Sequence, residues 1–241
     1  MVSFCSNLAS GRAARQVRFR LAVLVMALSG LASATLRATD TNALLDAWFA
    51  AQAKVHSLSA DFVQTRTLKT LVQPLLATGR LWFSPPSQFR WELGQPPQTI
   101  ALRRGDEMYV IYPRLKRAEH YSLGASAPRQ WRDAMSLLDA GFPHTRKEFN
   151  AQFQTQSLTE AGGMWLLSLQ PRSAAARQIM PELRVSLTTN DFSLAGTEVV
   201  FVDGSRMRND FTNALANATL DENLFQWKLP ADFKVTEPFS R

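Results

Sequence analysis

Four large aromatic residues, Trp82, Phe83, Phe89 and Trp91, crowd into Gly79-Arg-Leu-Trp-Phe-Ser-Pro-Pro-Ser-Gln-Phe-Arg-Trp-Glu92, on two stretches that meet across Pro85-Pro86. Side chains of this kind bind: they cover apolar groups and keep water from them. Residues able to break bonds are scattered by comparison. His56, His120 and His144 fall in different elements and share no metal-ligand spacing, and there is no H-E-x-x-H, G-x-S-x-G or phosphate-cradling glycine loop. Asp106-Glu107 and Asp221-Glu222 read as turn and helix-start acids rather than a catalytic carboxylate pair. The expectation is a protein that is not an enzyme and has no catalytic residue, metal or cofactor.

The elements that must position the aromatics follow from periodicity. In the second stretch Phe89, Trp91 and Leu93 share one face and Arg90 and Glu92 the other, the pattern of a strand in a sheet wet on one side. The preceding run puts Leu75, Ala77, Gly79, Leu81 and Phe83 on one side, and Leu58, Ala60 and Phe62 alternate with Ser59 and Asp61. Further strands are predicted at 98–104, 107–112, 117–121, 164–170, 182–188, 194–202 and 205–213. Gly105-Asp106, Gly162-Gly163 and Asp203-Gly204 supply turns between several of them, and connections this short imply antiparallel neighbours. The apolar face carrying Phe89 and Trp91 needs a cover, which is either an ordinary core or an apolar ligand.

Two helices are available to lie on that face. Asp40 or Thr41 caps one in which Leu44, Trp48, Ala51 and Val55 recur at helical spacing, with Leu45 and Phe49 widening the stripe. The other spans 127–138, with Trp131, Ala134, Met135 and Leu138 at i, i+3, i+4 and i+7, and is ended by Gly141-Phe142-Pro143. The stretch from Pro171 to Pro181 reads equally as a loop or a short helical turn.

The beginning of the chain points to export. Arg12, Arg15, Arg18 and Arg20 precede an apolar run from Leu21 to Leu31 and then Ala32-Ser33-Ala34, which together read as a secretory signal peptide over 1–34. As a helix the apolar run spans about 16 Å, short of the roughly 30 Å hydrocarbon core. Residues 35–241 are expected to form a single domain, soluble and monomeric, with no stable membrane insertion. Cleavage removes Cys5, the sole cysteine, and with four arginines and no acid it lowers the formal charge from +7 to +3. A nucleic-acid-binding footprint mostly disappears with it. Arg114, Lys116 and Arg117, with Arg103 and Arg104 nearby in sequence, read either as solvated hairpin charge or as a docking patch for an acidic partner or anionic headgroup.

The order of the parts resembles the LolA family of periplasmic lipoprotein carriers. It rests on the first helix, then Ala60-Asp-Phe-Val-Gln-Thr65, Gly79-Arg-Leu-Trp82, Pro86 and Phe89-Arg-Trp91. Phe211, Asn213, Phe225-Gln-Trp-Lys-Leu-Pro230 and Val235 follow in the family's closing order. The resemblance implies an α+β, mainly β fold: an unclosed, strongly curved antiparallel half-barrel whose concave apolar face is covered by helices. It implies a lipid-binding wall of Leu81, Phe83, Phe89 and Trp91, and a lid containing Trp131, Met135 and Leu138. The implied cargo is an acylated lipoprotein, with a Lol-type inner-membrane transporter and an outer-membrane acceptor as partners. A carrier of a non-protein lipid and a lipid- or lipoprotein-sensing module are the alternatives. The chain departs from the family at Pro85, where an arginine thought to latch the lid is common; proline offers neither charge nor donor.

Overall fold

The computed structural model describes residues 40–124 and 145–238. The helix expected over 127–138, with Trp131, Met135 and Leu138, lies outside the described residues, as does the leader.

Twelve strands form one sheet in the order β12-β6-β5-β4-β3-β2-β1-β11-β10-β9-β8-β7. The first six are β1 (Leu58–Thr67), β2 (Leu75–Ser84), β3 (Gln88–Leu93), β4 (Thr99–Arg104), β5 (Glu107–Tyr112) and β6 (Arg117–Ser122). The others are β7 (Phe153–Ala161), β8 (Met164–Pro171), β9 (Glu182–Thr188), β10 (Leu194–Val200), β11 (Arg206–Ala216) and β12 (Lys234–Thr236). All pairs are antiparallel except β12 with β6, which is parallel. The sheet is curved and does not close, leaving β7 and β12 at its edges. Register shifts in β1, β10 and β7 supply bends of the kind that curve a sheet.

Two meanders of sequential hairpins, β1–β6 and β7–β11, meet along a single seam. There β1 pairs with β11, with Phe62 opposite Phe211 and Gln64 opposite Asn209. The register carries one continuous inner face across the seam, from Trp91 through Phe62 and Phe211 to Val185 and Leu167.

Helix α1 (Thr41–Gln52) lies on the β7–β10 half of this face. Its Leu45 and Trp48 are buried, and the helix stops before Val55, which packs instead against the β1–β2 cluster. Helix α2 (Arg146–Gln152) adds Phe149 to the same cover, and its N-cap Thr145 accepts a hydrogen bond from the Glu148 N–H. Between Pro171 and Pro181 the helical turn forms, as α3 (Ala174–Arg177), capped by Ser173.

The opposite face is not uniformly wet as the alternation implies. Residues 222–225 form a 3-10 turn that Asp221 caps, and Phe225 and Trp227 share a pocket with Leu102 and Tyr109. Leu102, Ile111 and Ala118 are thereby buried on the outer side, and Arg90 donates to the Leu224 carbonyl. The C-terminal segment acts as an outer cover that the β3 pattern alone does not announce.

Candidate functional site

The inner face has two apolar clusters in different states of cover. On the β7–β10 side Leu169 and Val185 are fully buried and Leu167 and Leu187 nearly so, sealed by Trp48 and Phe149. On the β1–β3 side Phe62 and Leu81 are buried, whereas every residue of β3 keeps part of its surface accessible.

Trp91 is the centre of the second cluster. Its ring centroid stands 4.1 Å from that of Phe62 and 6.1 Å from that of Phe211. Tilted and edge-on arrangements of this kind suit aromatic quadrupoles. Across the strands Leu81 lies opposite Trp91, Phe83 opposite Phe89 and Gly79 opposite Leu93. The glycine is a requirement: a Cβ there would stand 2.1 Å from Phe62 Cζ and 2.3 Å from the Glu92 carbonyl oxygen. Its missing side chain is what lets the Phe62 ring reach across β2 to Trp91.

Polar groups bound the wall on both sides. Along the seam, Gln64 donates to Asn209 (3.0 Å) and Asn209 donates to Thr197 (3.2 Å), a buried ladder with its own partners. Towards β6, Tyr121 donates to Glu119 Oε2 at 2.7 Å, and Arg117 donates to Oε1 of the same carboxylate at 2.7 Å. Burial, and then the bond to Glu119, hold the Tyr121 phenol well above its usual ionisation range. Arg103, the register partner of Phe89, brings a half-buried guanidinium onto the inner face and donates to the Gly105 carbonyl.

Among the described residues no group of three or more His, Cys, Asp or Glu is placed to hold a metal ion. His120 stacks on Tyr109 and lies between Glu107 and Glu237. Burial works against its charge, but the two carboxylates outweigh that and raise its pKa above the ordinary value. The basic cluster read from the sequence divides: Arg104 ends β4 at the opposite end of the strands from Arg114 to Arg117. Lys116 pairs with Asp232 at 2.8 Å and Arg117 with Glu119, so much of its charge is spent internally.

A family model described as "Outer membrane lipoprotein carrier protein LolA" matches residues 53–228, well over half of the chain. The chain belongs to the LolA family. An outer-membrane lipoprotein carrier protein of Bordetella avium is 25% identical over 224 residues, covering 92% of this chain and 99% of the relative. One from Pseudoalteromonas translucida is 24% identical over 223 residues, covering 90% and 97%. Among solved structures, a LolA superfamily protein from Nitrosomonas europaea aligns with a TM-score of 0.42 at 9% identity, covering 79% of this chain and 99% of the other.

Within this LolA-family chain the structure brings together Leu81, Phe83, Phe89 and Trp91, all on one face of β2 and β3. Leu81 and Phe83 form its buried footing, at 2% and 6% exposure, and Phe89 and Trp91 its half-open surface. The sequence reading did not count Phe62 or Phe211 among the site residues. The signal was present in the inward register of β1, but the β1–β11 pairing that sets Phe211 against Phe62 joins residues far apart in the chain.

Proposed function

We propose that the β1–β3 wall holds the acyl chains of a lipoprotein, and that this protein carries such cargo through the periplasm from the inner to the outer membrane. The observation that carries the reading is the contrast within one apolar face: the same alternating pattern is sealed over β8 and β9 but half-open along β3. Family membership supports the same assignment.

The physical chemistry needs no reaction. Ten methylenes moved from water onto an apolar wall contribute about 8 kcal/mol before ordering costs, enough to keep cargo from escaping into water. Transfer then requires a better acceptor, or a cover that competes for the wall. We infer accordingly that the protein is a carrier and not an enzyme, working with an inner-membrane transporter and an outer-membrane acceptor. Export with cleavage of 1–34 fits this role. No helix among the described residues is long and apolar enough to cross a membrane.

The test is mass spectrometry of material co-purifying with the protein from its native periplasm, for wild type and Trp91→Glu. Acylated lipoproteins bound to wild type and lost from the variant support the reading. Recovery of a lipid without protein would transfer the wall to the non-protein carrier reading, and retention of cargo by the variant would sink both.

A further inference from the structure

One end of the sheet gathers apolar side chains that the carrier wall does not use. Strand β2 runs four residues beyond Gly79, where its pairing with β3 ends, so on that side the β1–β2 hairpin outreaches β3 by roughly 13 Å, while on the other side β1 stays paired with β11 as far as Thr67 opposite Arg206. Its tip is apolar and bare: Val72 is 102% exposed and Leu76 71%, with Leu71 beside them at 45%. Two neighbouring connections continue the patch. The Lys69 N–H donates to Ser205 Oγ in the β10–β11 turn, where Val202 is 68% exposed. The Val202 N–H in turn donates to the carbonyl of Ile179, itself 52% exposed. Exposed apolar side chains gathered on neighbouring connections mark an interaction site.

The charges around the patch select the partner. Arg66, Lys69 and Arg206 flank the tip, and Arg172 and Arg177 lie in the connection that contains Ile179. The acid nearest the tip, Asp203, is held ionised by the Ser205 N–H at 2.9 Å and the Ser205 hydroxyl at 3.0 Å, and is one negative charge beside these cations. The opposite end has the reverse balance: its described loops carry Asp106, Asp191 and Asp221 against Lys54. Exposed apolar side chains flanked by the cations Arg66, Lys69 and Arg206 match the two layers of an anionic bilayer surface, with acyl boundary beneath and phosphate above.

We propose that the β1–β2 hairpin tip, with Val202 and Ile179, is a docking surface for an anionic phospholipid bilayer. The surface stands apart from the cargo wall, and neither reading rests on the other. Docking would set the molecule with the β1–β2, β8–β9 and β10–β11 connections towards the lipid.

The experiment is flotation of the exported, cargo-free protein with vesicles of equal parts phosphatidylglycerol and phosphatidylcholine, and with vesicles of phosphatidylcholine alone. Wild type should partition onto the mixed vesicles at least tenfold better than onto phosphatidylcholine, and less so as salt is raised. The double variant Val72→Asp, Leu76→Asp should lose at least tenfold in partitioning while loading cargo as wild type does. A Val72→Trp probe should shift its emission to the blue on mixed vesicles. Absence of vesicle binding by wild type, or equal binding by the double variant, overturns the docking surface and leaves the wall reading intact. A wild-type dimer that the double variant converts to monomer would overturn it in favour of a second copy of this chain.

Discussion

The β8–β9 and β2–β3 portions of the inner face share one alternation of apolar and polar residues, yet among the described residues only the first is closed. Over β8 and β9 two helices supply Leu45, Trp48, Phe49 and Phe149, and the strand residues beneath them lose almost all contact with water. Over β2 and β3 the large rings of Phe62, Trp91 and Phe211 pack on one another, and every residue of β3 stays partly accessible. A strand pattern therefore specifies that a face is apolar, while the cover decides whether that face is core or site. The lesson is quantitative as well: each side chain fully buried in the closed half contributes about 1.5–3 kcal/mol to folding, and the partly accessible side chains of β3 realise only part of that gain.

The largest effect should come from charge in the closed half. Val185→Glu places a carboxylate at a fully buried position, with only the Thr197 hydroxyl, already engaged by Asn209, opposite it, and should cost more than about 3 kcal/mol by urea unfolding. Trp91→Glu should cost no more than about 2 kcal/mol in the same assay, because its site reaches solvent, while cargo retention falls at least tenfold. Equal destabilisation by the two would erase the distinction between the halves.

Gly79→Ala sharpens the comparison from within the open half. The added methyl meets an aromatic ring and a backbone carbonyl, and a loss of about 1–3 kcal/mol is expected in thermal unfolding. Unchanged stability would show that the Phe62–Trp91 contact can be abandoned freely. At the boundary, Asn209→Ala leaves the buried Gln64 amide without its acceptor and should cost about 1–3 kcal/mol. Asn209→Asp, with a carboxylate oxygen still facing that amide, should recover part of the loss at high pH.

The smallest effect is a pH dependence at the outer edge. Because the folded-state pKa of His120 is raised, its contribution is fully present below the unfolded value of about 6.5 and is lost as pH rises through the raised one. Its contacts with Glu107 and Glu237 tie β6 to β5 and to the segment just after β12. The difference in melting temperature between wild type and His120→Gln should thus be widest near pH 6 and shrink as the medium becomes alkaline. A gap independent of pH would assign His120 to packing alone.

The strands from β1 to β6 were legible because each shows a period of two and is closed by a glycine or proline turn. Glu107–Tyr112 and Glu182–Thr188 coincide with their predicted bounds, and Met164–Pro171 is longer by one residue. Strand β7 was not anticipated: Gln154-Thr-Gln-Ser157 is polar throughout, as an edge strand with little to bury permits. Strand β12 escaped for a related reason, since three residues carry no periodicity and its parallel pairing comes only from the path of the C-terminal segment. The wall was legible in Leu81, Phe83, Phe89 and Trp91. Its completion by Phe62 and Phe211 was not, because that depends on which strands become neighbours and not on either strand's own pattern.

The seam between the meanders also has a kinetic meaning. Hairpins within β1–β6 and within β7–β11 pair residues close in sequence, so each is inexpensive to nucleate. The bond from Gln64 to Asn209 joins residues 145 positions apart, and the chain entropy of that closure falls on one strand pair. Joining β1 to β11 is therefore expected to be the slow step of folding. Stopped-flow refolding of Asn209→Ala would then show its loss mainly as slower folding, with the unfolding arm little changed.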